Sequence, residues 1–194
     1  MVWTARHRFG RRGVRLPGRR CHLDITCSRH LELPAERRQQ LEAAAHAEFG
    51  QFEIVRETRW APPSWAYLAF YDGDLAAFYN IVEREVKIDG VPVRVAGLNN
   101  LITLPAHRGR GVASRLLRET ASQWFASLGV ECGLLLCADG LLPFYTRLGW
   151  QKAVARVTYA QPDGPRTWPA NCMLLDPERN IAAPREIDLC GLPW

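Results

Sequence analysis

The chain has 194 residues, which is enough for one domain with a sizeable core. Its net charge of +5 is uneven, because residues 1–20 hold seven of the 25 basic residues and no acid; the remaining 18 basic and 20 acidic residues sum to −2. No apolar run approaches the roughly 20 residues of a membrane span, and no signal-peptide core is present. We therefore expect a cytoplasmic protein without membrane contact.

The first 20 residues predict an Arg-rich, flexible tail, followed by a single domain over residues 21–194. Contact of this tail with nucleic acid or another acidic surface is an alternative. A transit peptide is disfavoured, because Gly and Pro interrupt any amphipathic helix. We expect no nucleic-acid partner for the domain, and a homodimer is left open.

The first half of the domain predicts a strand, a helix and then three strands. The hydrophobic pattern places strands at residues 21–26, 64–71, 74–86 and 91–104, and a helix at residues 34–47. Asp72-Gly73 and Asp89-Gly90 are typical of tight hairpin turns, so the last three strands are expected to pair in order.

The next element is the most informative one. Residues 108–113, RGRGVA, form a basic loop between the strand at 91–104 and an amphipathic helix at 112–128. Gly109 and Gly111 can adopt backbone angles that are closed to other residues, and Arg108 and Arg110 add positive charge. The loop amides lie at the positive end of the helix dipole, which favours a phosphate or pyrophosphate group. The alternative is a surface turn with solvated arginines.

The second half is predicted to be mixed and then rich in strands. Residues 131–137, ECGLLLC, read as a buried strand, with Asp139 as the cap of the following helix. The segment that follows is LLPFYTRLGW at 141–150, in which Gly149 is suited to end the helix. Strands are expected at 154–160, 172–175 and 187–189, with a turn at 161–164.

The cysteines show no disulfide framework for a chain of this size, so we expect them to be reduced. Cys132 and Cys137 lie five residues apart on one strand and should face opposite sides as core residues. A Cys/His group near the start of the domain has spacing that fits no common zinc site, and no metal is expected. The members of this group are Cys21, His22, Cys27 and His30.

Together these motifs resemble those of the GNAT acyltransferases. The loop matches the R/Q-x-x-G-x-G/A signature through Arg108, Gly111 and Ala113, and FYTRLGW is similar to the FYxKxGF-like segment that follows it. The resemblance implies an α/β (α+β) GNAT fold, in which a mixed, mostly antiparallel sheet is split at the acetyl-CoA site and carries helices on both faces. Acetyl-CoA or another acyl-CoA would be the co-substrate. The residues expected to bind it are Leu101, Ile102, Thr103, Arg108, Gly109, Arg110, Gly111, Val112, Ala113 and Ser114.

Within this superfamily the chain looks most like the aminoglycoside 2′-N-acetyltransferases. The similarity runs from Phe49 to the C-terminus and includes FGxF, HRGRGVASRLL, FYTRLGW, a GPRT turn at 164–167 and a final Trp. It implies a primary amine of a small molecule, amino sugar or aminoglycoside-like, as acceptor. The substrate-binding residues would be Gln51, Phe52, Asn100 and Trp194.

The acceptor half departs from that family in its charges. Family members carry acids where this chain has Gln51, Arg56, Asn99 and Leu192. A polycationic sugar is bound through carboxylates, so the expected pocket is more apolar and aromatic. Some of the tryptophans are expected to line it. The candidates are Trp60, Trp65, Trp150, Trp168 and Trp194.

The resemblance implies direct attack of the amine on the thioester. A backbone amide near residues 101–103 would polarise the carbonyl, and Tyr145 would protonate the departing thiolate. For the base, Asn99 can only position a water, as can Asn100. Glu83 is the acidic alternative, although Glu83 and Glu85 share a strand face and are surface charges if that face meets solvent.

Two other functions remain open at this point. One is N-acylation with a longer acyl donor, as in the nodulation acyltransferases. The other is a non-catalytic acyl-CoA-binding module whose Arg-rich tail contacts an acidic partner.

Overall fold

The computed structural model describes residues 23–194, so the predictions for residues 1–20 lie outside the described part of the chain. Four helices surround one sheet of ten strands. The helices are α1 (Ala35–Phe49), α2 (Glu53–Glu57), α3 (Val112–Leu128) and α4 (Leu142–Thr146). The strands are β1 (Leu23–Arg29), β2 (Trp65–Tyr71), β3 (Asp74–Ile88), β4 (Val91–Thr103), β5 (Cys132–Cys137), β6 (Gln151–Ala153), β7 (Arg156–Gln161), β8 (Gly164–Thr167), β9 (Asn171–Leu175) and β10 (Glu186–Asp188).

The sheet is mixed and mostly antiparallel. Its strand order is β6-β9-β5-β4-β3-β10-β7-β8, and the β1–β2 pair joins the edge of β3. Only β4 with β5 and β10 with β7 pair in parallel. The predicted hairpins form at Asp72-Gly73 and Asp89-Gly90, where all four residues have the positive φ that such turns require. The predicted GNAT-type architecture is confirmed.

Two faces of the sheet are covered by different helices. On the face that we call the α3 face, Tyr79, Leu98 and Leu135 pack with Leu116 of α3 and with Tyr145 of α4. On the opposite face, the α1 face, one core forms around α1 and a second one forms against β7 and β10. The first contains Leu41, Phe78 and Ile102, and the second contains Val82, Val95, Leu134, Ile187 and Trp194.

Some elements differ from the prediction. The segment GPRT is a strand, β8, paired with β7 across the turn at 161–164, because two successive extended segments here pair beyond the tight turn. Strand β6 and the short helix α2 were not predicted, since neither is long enough to show a hydrophobic period. Asp139 does not cap α4; its carboxylate accepts a 2.8 Å hydrogen bond from Asn171 of β9 instead. Cys132 and Cys137 do belong to opposite faces, as predicted.

The close approach of Trp194 to β4 depends on one glycine. A Cβ on Gly97 would overlap the indole ring of Trp194, which is 3% exposed. We predict that Gly97→Ala lowers the free energy of unfolding by about 1–3 kcal/mol, because the buried ring has to move. Gly140→Ala is the matched control, since its Cβ would meet nothing within 4 Å. Chemical denaturation compares the two, and equal stabilities would show that Trp194 adjusts freely.

Candidate functional site

The site begins where β4 leaves β5. Their parallel pairing extends only from Val95–Leu98 to Cys132–Leu135, although β4 continues to Thr103. Beyond this point β5 stays with β9, to which it pairs up to Cys137. An opening therefore forms between the last residues of β4 and the end of β5.

A bulge in β4 lies at this point. Phe78 pairs with Ile102 and Asn80 with Asn99, so β4 has one residue more than β3 between these pairs. Asn100 takes up the extra residue with a φ of 51°. A bulge of this kind leaves a residue outside the ladder of backbone hydrogen bonds. Backbone donors next to the opening are thus available for a bound group.

The predicted cofactor residues meet around one cavity. It has a volume of about 300 Å³ and is lined by nine of the ten, with the exposed Arg110 as the exception. Glu48, His107 and Phe144 complete the lining. The cavity joins the end of β4 to the loop before α3. Cofactor binding by these residues stays a prediction, but the structure does bring them together.

The loop before α3 has the conformation that its glycines predict. Gly109 and Gly111 have φ values of 74° and 73°, in the left-handed region. Gly111 is the N-cap of α3 and has no side chain with which to satisfy the first amides of the helix. These amides carry the positive end of the helix dipole toward the cavity.

Two side chains beside the loop add charge and polarity. Arg108 donates to the carbonyl of Thr103 at 3.1 Å and to the Glu48 carboxylate at 2.5 Å, so the end of α1 is tied to the loop. His107 stacks on Tyr71 with ring centres 5.8 Å apart, and its Nδ1 atom is buried without a hydrogen-bond partner. Sequence reasoning missed Glu48, because its contact with Arg108 spans 60 residues.

Tyr145 lies on α4, on the α3 face, and is 7% exposed. Its ring packs edge-on against Phe144 and Trp150, with centres 5.0 and 6.0 Å away. Burial, and to a lesser extent the nearby Cys137 thiol, raise the pKa of Tyr145 well above its usual value. The hydroxyl therefore keeps its proton at neutral and moderately alkaline pH.

The structure separates Glu83 from Asn99. Asn99 is half-buried and belongs to the α1 face, like Gly97, whereas Glu83 lies on the α3 face and pairs with Ala96, three positions along. Burial alone would raise the pKa of Glu83, but hydrogen bonds from Trp65 and Arg94 outweigh it and lower that pKa. Glu83 is thus an ion-paired carboxylate whose side chain is 16% exposed, and its role as a base stays a prediction.

The predicted acceptor residues are spread along the α1 face. Gln51 and Phe52 are exposed where α1 meets α2. Asn100 is half-buried in the bulge, and the ring of Trp194 packs on Gly97 while its Nε1 atom donates to the carbonyl of Leu134 at 3.4 Å. The buried ring of Trp194 thus packs on β4 at Gly97, two positions before Asn99. The substrate contacts of these four residues stay predictions.

The tryptophans divide between the two faces. Trp150 packs in the core on the α3 face. Trp65 packs against the same core, and its Nε1 atom donates a hydrogen bond to the carboxylate of Glu83. Trp60 and Trp168 meet edge-on at 6.2 Å near β7, and the Nε1 atom of Trp168 is buried without a partner. Of the predicted aromatic set, Trp168 and Trp194 pack on the α1 face, and Trp60 packs against Trp168.

A larger cavity of about 790 Å³ lies at the other end of β4. Val91, Leu117, Phe125 and Trp150 are among its lining residues, and Trp150, a candidate of the aromatic set, is the one predicted site residue among them. Its lining includes charged residues such as Arg118 and Glu178, but it includes none of the loop residues 108–114. The smaller cavity is therefore the candidate site, on grounds of chemistry and not of size.

A protein-family comparison gives the identity of the domain. Residues 36–153, more than half of the chain, match the family described as an acetyltransferase (GNAT) domain. The chain belongs to the GNAT acetyltransferase family. It is an acyltransferase, as the loop and FYTRLGW motifs predicted. No curated protein sequence matches the chain.

Solved GNAT structures share this fold at low identity. YhbS from Escherichia coli, a GNAT N-acetyltransferase in complex with CoA, has 16% identity and a TM-score of 0.59 over 91% of this chain and 94% of that one. ElaA from Escherichia coli has 17% identity and a TM-score of 0.57, over 80% of this chain and 100% of that chain. An acyl-CoA N-acyltransferase from Pseudomonas aeruginosa has 19% identity and a TM-score of 0.52, over 79% and 99%.

Two findings concern other kinds of site. In residues 23–194, no group of three or more His, Cys, Asp and Glu side chains is placed to hold a metal ion; Cys21 and His22 lie outside this range. Over the same residues, no helix is both long and apolar enough to cross a bilayer.

The ion pair between Glu83 and Arg94 leads to a prediction. Glu83→Gln should leave the rate of acyl transfer within about twofold, and it should cost about 0.2–1 kcal/mol of stability, since its partner Arg94 is 53% exposed. Because the fold lowers the pKa of Glu83, this contribution is present above the ordinary glutamate pKa of about 4.3. It is lost as the pH falls through the lower folded-state value.

Thermal unfolding of the Glu83→Gln variant and the wild type from neutral to acid pH measures that difference. A fall in turnover of a hundredfold or more would instead support Glu83 as the base.

Proposed function

We propose that the protein transfers the acetyl group of acetyl-CoA to a primary amine of a small molecule, in a ternary complex. One observation carries this proposal: the amides before α3 and the end of β4 line the same cavity, beside the opening between β4 and β5. A pyrophosphate on the loop would place an attached thioester at the bulge. YhbS, which has this fold, was solved in complex with CoA.

The chain has the groups that such a co-substrate requires. The amides from Gly109 to Ser114 would hold the pyrophosphate, helped by the positive end of α3. Arg108 adds a charge that is already fixed by Glu48 and Thr103. His107 also lines the cavity, and its buried Nδ1 atom makes no hydrogen bond within the protein. This atom would be free to form a hydrogen bond with the bound co-substrate.

The reaction needs three tasks from the protein. A backbone amide of residues 101–103 stabilises the negative charge that develops on the thioester oxygen. The amine nitrogen forms a bond to the carbonyl carbon, the carbon–sulfur bond breaks, and Tyr145 gives a proton to the departing thiolate. The proton that the amine loses passes to water, which Asn99 or Asn100 holds in place of a side-chain base.

The acceptor is a small amine, with amino sugars and aminoglycosides as the first class to test. Trp60 and Trp168, which are half-buried and meet edge-on near β7, would offer aromatic surface to such a molecule. The acidic positions expected of a polycation site are replaced by Gln51, Arg56 and Leu192. A monoamine is therefore favoured over a molecule with several ammonium groups.

The experiment incubates the protein with acetyl-CoA and a panel of amines: aminoglycosides, amino sugars, arylalkylamines, polyamines and lysine peptides. Mass spectrometry detects the acetylated products directly. A thiol-reactive dye that detects released CoA would also react with free cysteines of the protein, such as the exposed Cys27 and Cys190. A product on a small amine is the expected result. Tight binding of CoA without transfer to any amine would contradict the proposal and favour a binding module.

Arg108 tests the cofactor half. We predict that Arg108→Ala weakens CoA binding by roughly tenfold, because a fixed charge near the phosphates is lost. Arg118→Ala is the control, since this arginine is exposed on α3 and lines the other cavity. Calorimetry that finds wild-type affinity in the Arg108 variant would refute the phosphate assignment.

Tyr145 tests the chemistry. We predict that Tyr145→Phe lowers turnover at least tenfold and leaves the CoA dissociation constant unchanged, because the variant lacks only the proton donor. The raised pKa of Tyr145 keeps the donor protonated, so wild-type turnover should not fall through tyrosine ionisation below about pH 10. Rate profiles from neutral pH to this limit check both statements; an unchanged rate in the variant removes the assigned role.

A further inference from the structure

One buried polar atom on the α1 face has no partner. Asn80 of β3 is 4% exposed, and its Oδ1 atom makes no hydrogen bond in the structure. It is the one polar residue in the otherwise apolar or aromatic stretch AAFYNIV at 76–82, apart from the hydroxyl of Tyr79. A buried acceptor without a donor destabilises the fold. Such an atom calls for an explanation beyond packing.

Asn80 lies beside the bulge that opens the site. It pairs directly with Asn99 on β4, and the residues that oppose each other in an antiparallel pair point to the same face. That face also carries Gly97, with the ring of Trp194 packed on it. The two asparagines thus form an uncharged amide pair next to the opening between β4 and β5, on the acceptor side of the sheet.

The strands around this pair provide no negative charge. Strand β4 has no acidic residue, and neither does the stretch of β3 from Ala76 to Val82. Glu83 is the next acid along β3, but it lies on the α3 face and is paired with Arg94. An amide oxygen can accept a hydrogen bond from an amine, but it does not neutralise an ammonium ion.

We propose that Oδ1 of Asn80 accepts an N–H of the acceptor amine, and that with Asn99 it selects amines that are neutral at working pH. The substrates would be weakly basic primary amines. This proposal rests on the proposed acetyl transfer. The neutral amine attacks the thioester carbon, the carbon–sulfur bond breaks, the amine's extra proton goes to water, and the thiolate takes its proton from Tyr145.

Selectivity between two classes of amine is the first test. An α-amino group has a pKa near 7.8 and a lysine ε-amine one near 10.4, so at pH 7 the neutral fractions differ by roughly 300-fold. Alanine amide and glucosamine serve as weakly basic probes, and Nα-acetyl-lysine amide and spermidine as strongly basic ones. Wild-type protein should acetylate the first two with kcat/KM at least tenfold higher. Transfer to the strongly basic pair alone would overturn the selectivity.

Variants of Asn80 then show whether this residue is the cause. Asn80→Leu should raise KM for the better weakly basic probe at least tenfold, with KM for acetyl-CoA within twofold. Asn80→Asp supplies a negative charge that can pair with an ammonium ion. It should reduce the ratio of kcat/KM between weakly and strongly basic amines at least tenfold. Unchanged acceptor KM and selectivity in both variants would refute the role of Asn80. A complete lack of product with every amine would instead refute acetyl transfer itself.

A stability measurement is independent of any substrate. Asn80→Leu removes an unpaired buried acceptor at similar volume, so its Tm should rise. Asn171→Leu is the matched control, because Asn171 is also buried but donates to Asp139 and to the carbonyl of Cys137, and its Tm should fall. A fall in Tm for Asn80→Leu, of the size seen at Asn171, would make Asn80 a structural residue and overturn the inference.

Discussion

The short parallel contact between β4 and β5 is the constraint on which the site depends. It ends at Leu98 and Leu135, and the bulge at Asn100 follows at once on β4. The extra residue reverses which side chains face which core, so that Leu101 packs on the α3 face and Ile102 on the α1 face. The helices on both faces therefore remain packed against β4 where it separates from β5, and few apolar contacts of the core are lost at the opening.

The short β4–β5 contact also brings the end of β4 close to the loop before α3. Because β4 continues past the opening, its end and the loop that follows line one cavity with the N-terminus of α3. Glu48 of α1 also lines this cavity, where it forms an ion pair with Arg108. On the proposed acceptor side, Asn80 and Asn99 supply side-chain amides and no carboxylate.

Local features of the chain were predictable from its sequence. The positive φ of Gly109 and Gly111, the hairpin turns and the amphipathic helix α3 follow from residue types within a few positions. The fold class and the acyltransferase family were predicted from the resemblance of the RGRGVA and FYTRLGW motifs to those of GNAT enzymes. The bulge was not predictable, because it depends on counting residues against the partner strand, and Asn100 gives only a weak signal of its own.

Long-range pairings account for the other differences. The sequence left open which face Glu83 occupies; Trp65 and Arg94 hold it on the α3 face. The partner of Asp139 comes 32 residues later in β9, so a local capping role seemed the simpler interpretation. Asn80 had a visible signal, a single amide within an apolar strand, but its lack of a partner emerges only when neighbouring strands are in place.

In the mechanism that we propose, the acyl group of the co-substrate lies in the opening between β4 and β5. A crystal structure with a bound non-hydrolysable acetyl-CoA analogue would locate this group. We expect the pyrophosphate on the amides of residues 109–114 and the acyl oxygen about 3 Å from a backbone nitrogen of residues 101–103. An analogue bound elsewhere, for instance in the larger cavity beside Phe125, would contradict it.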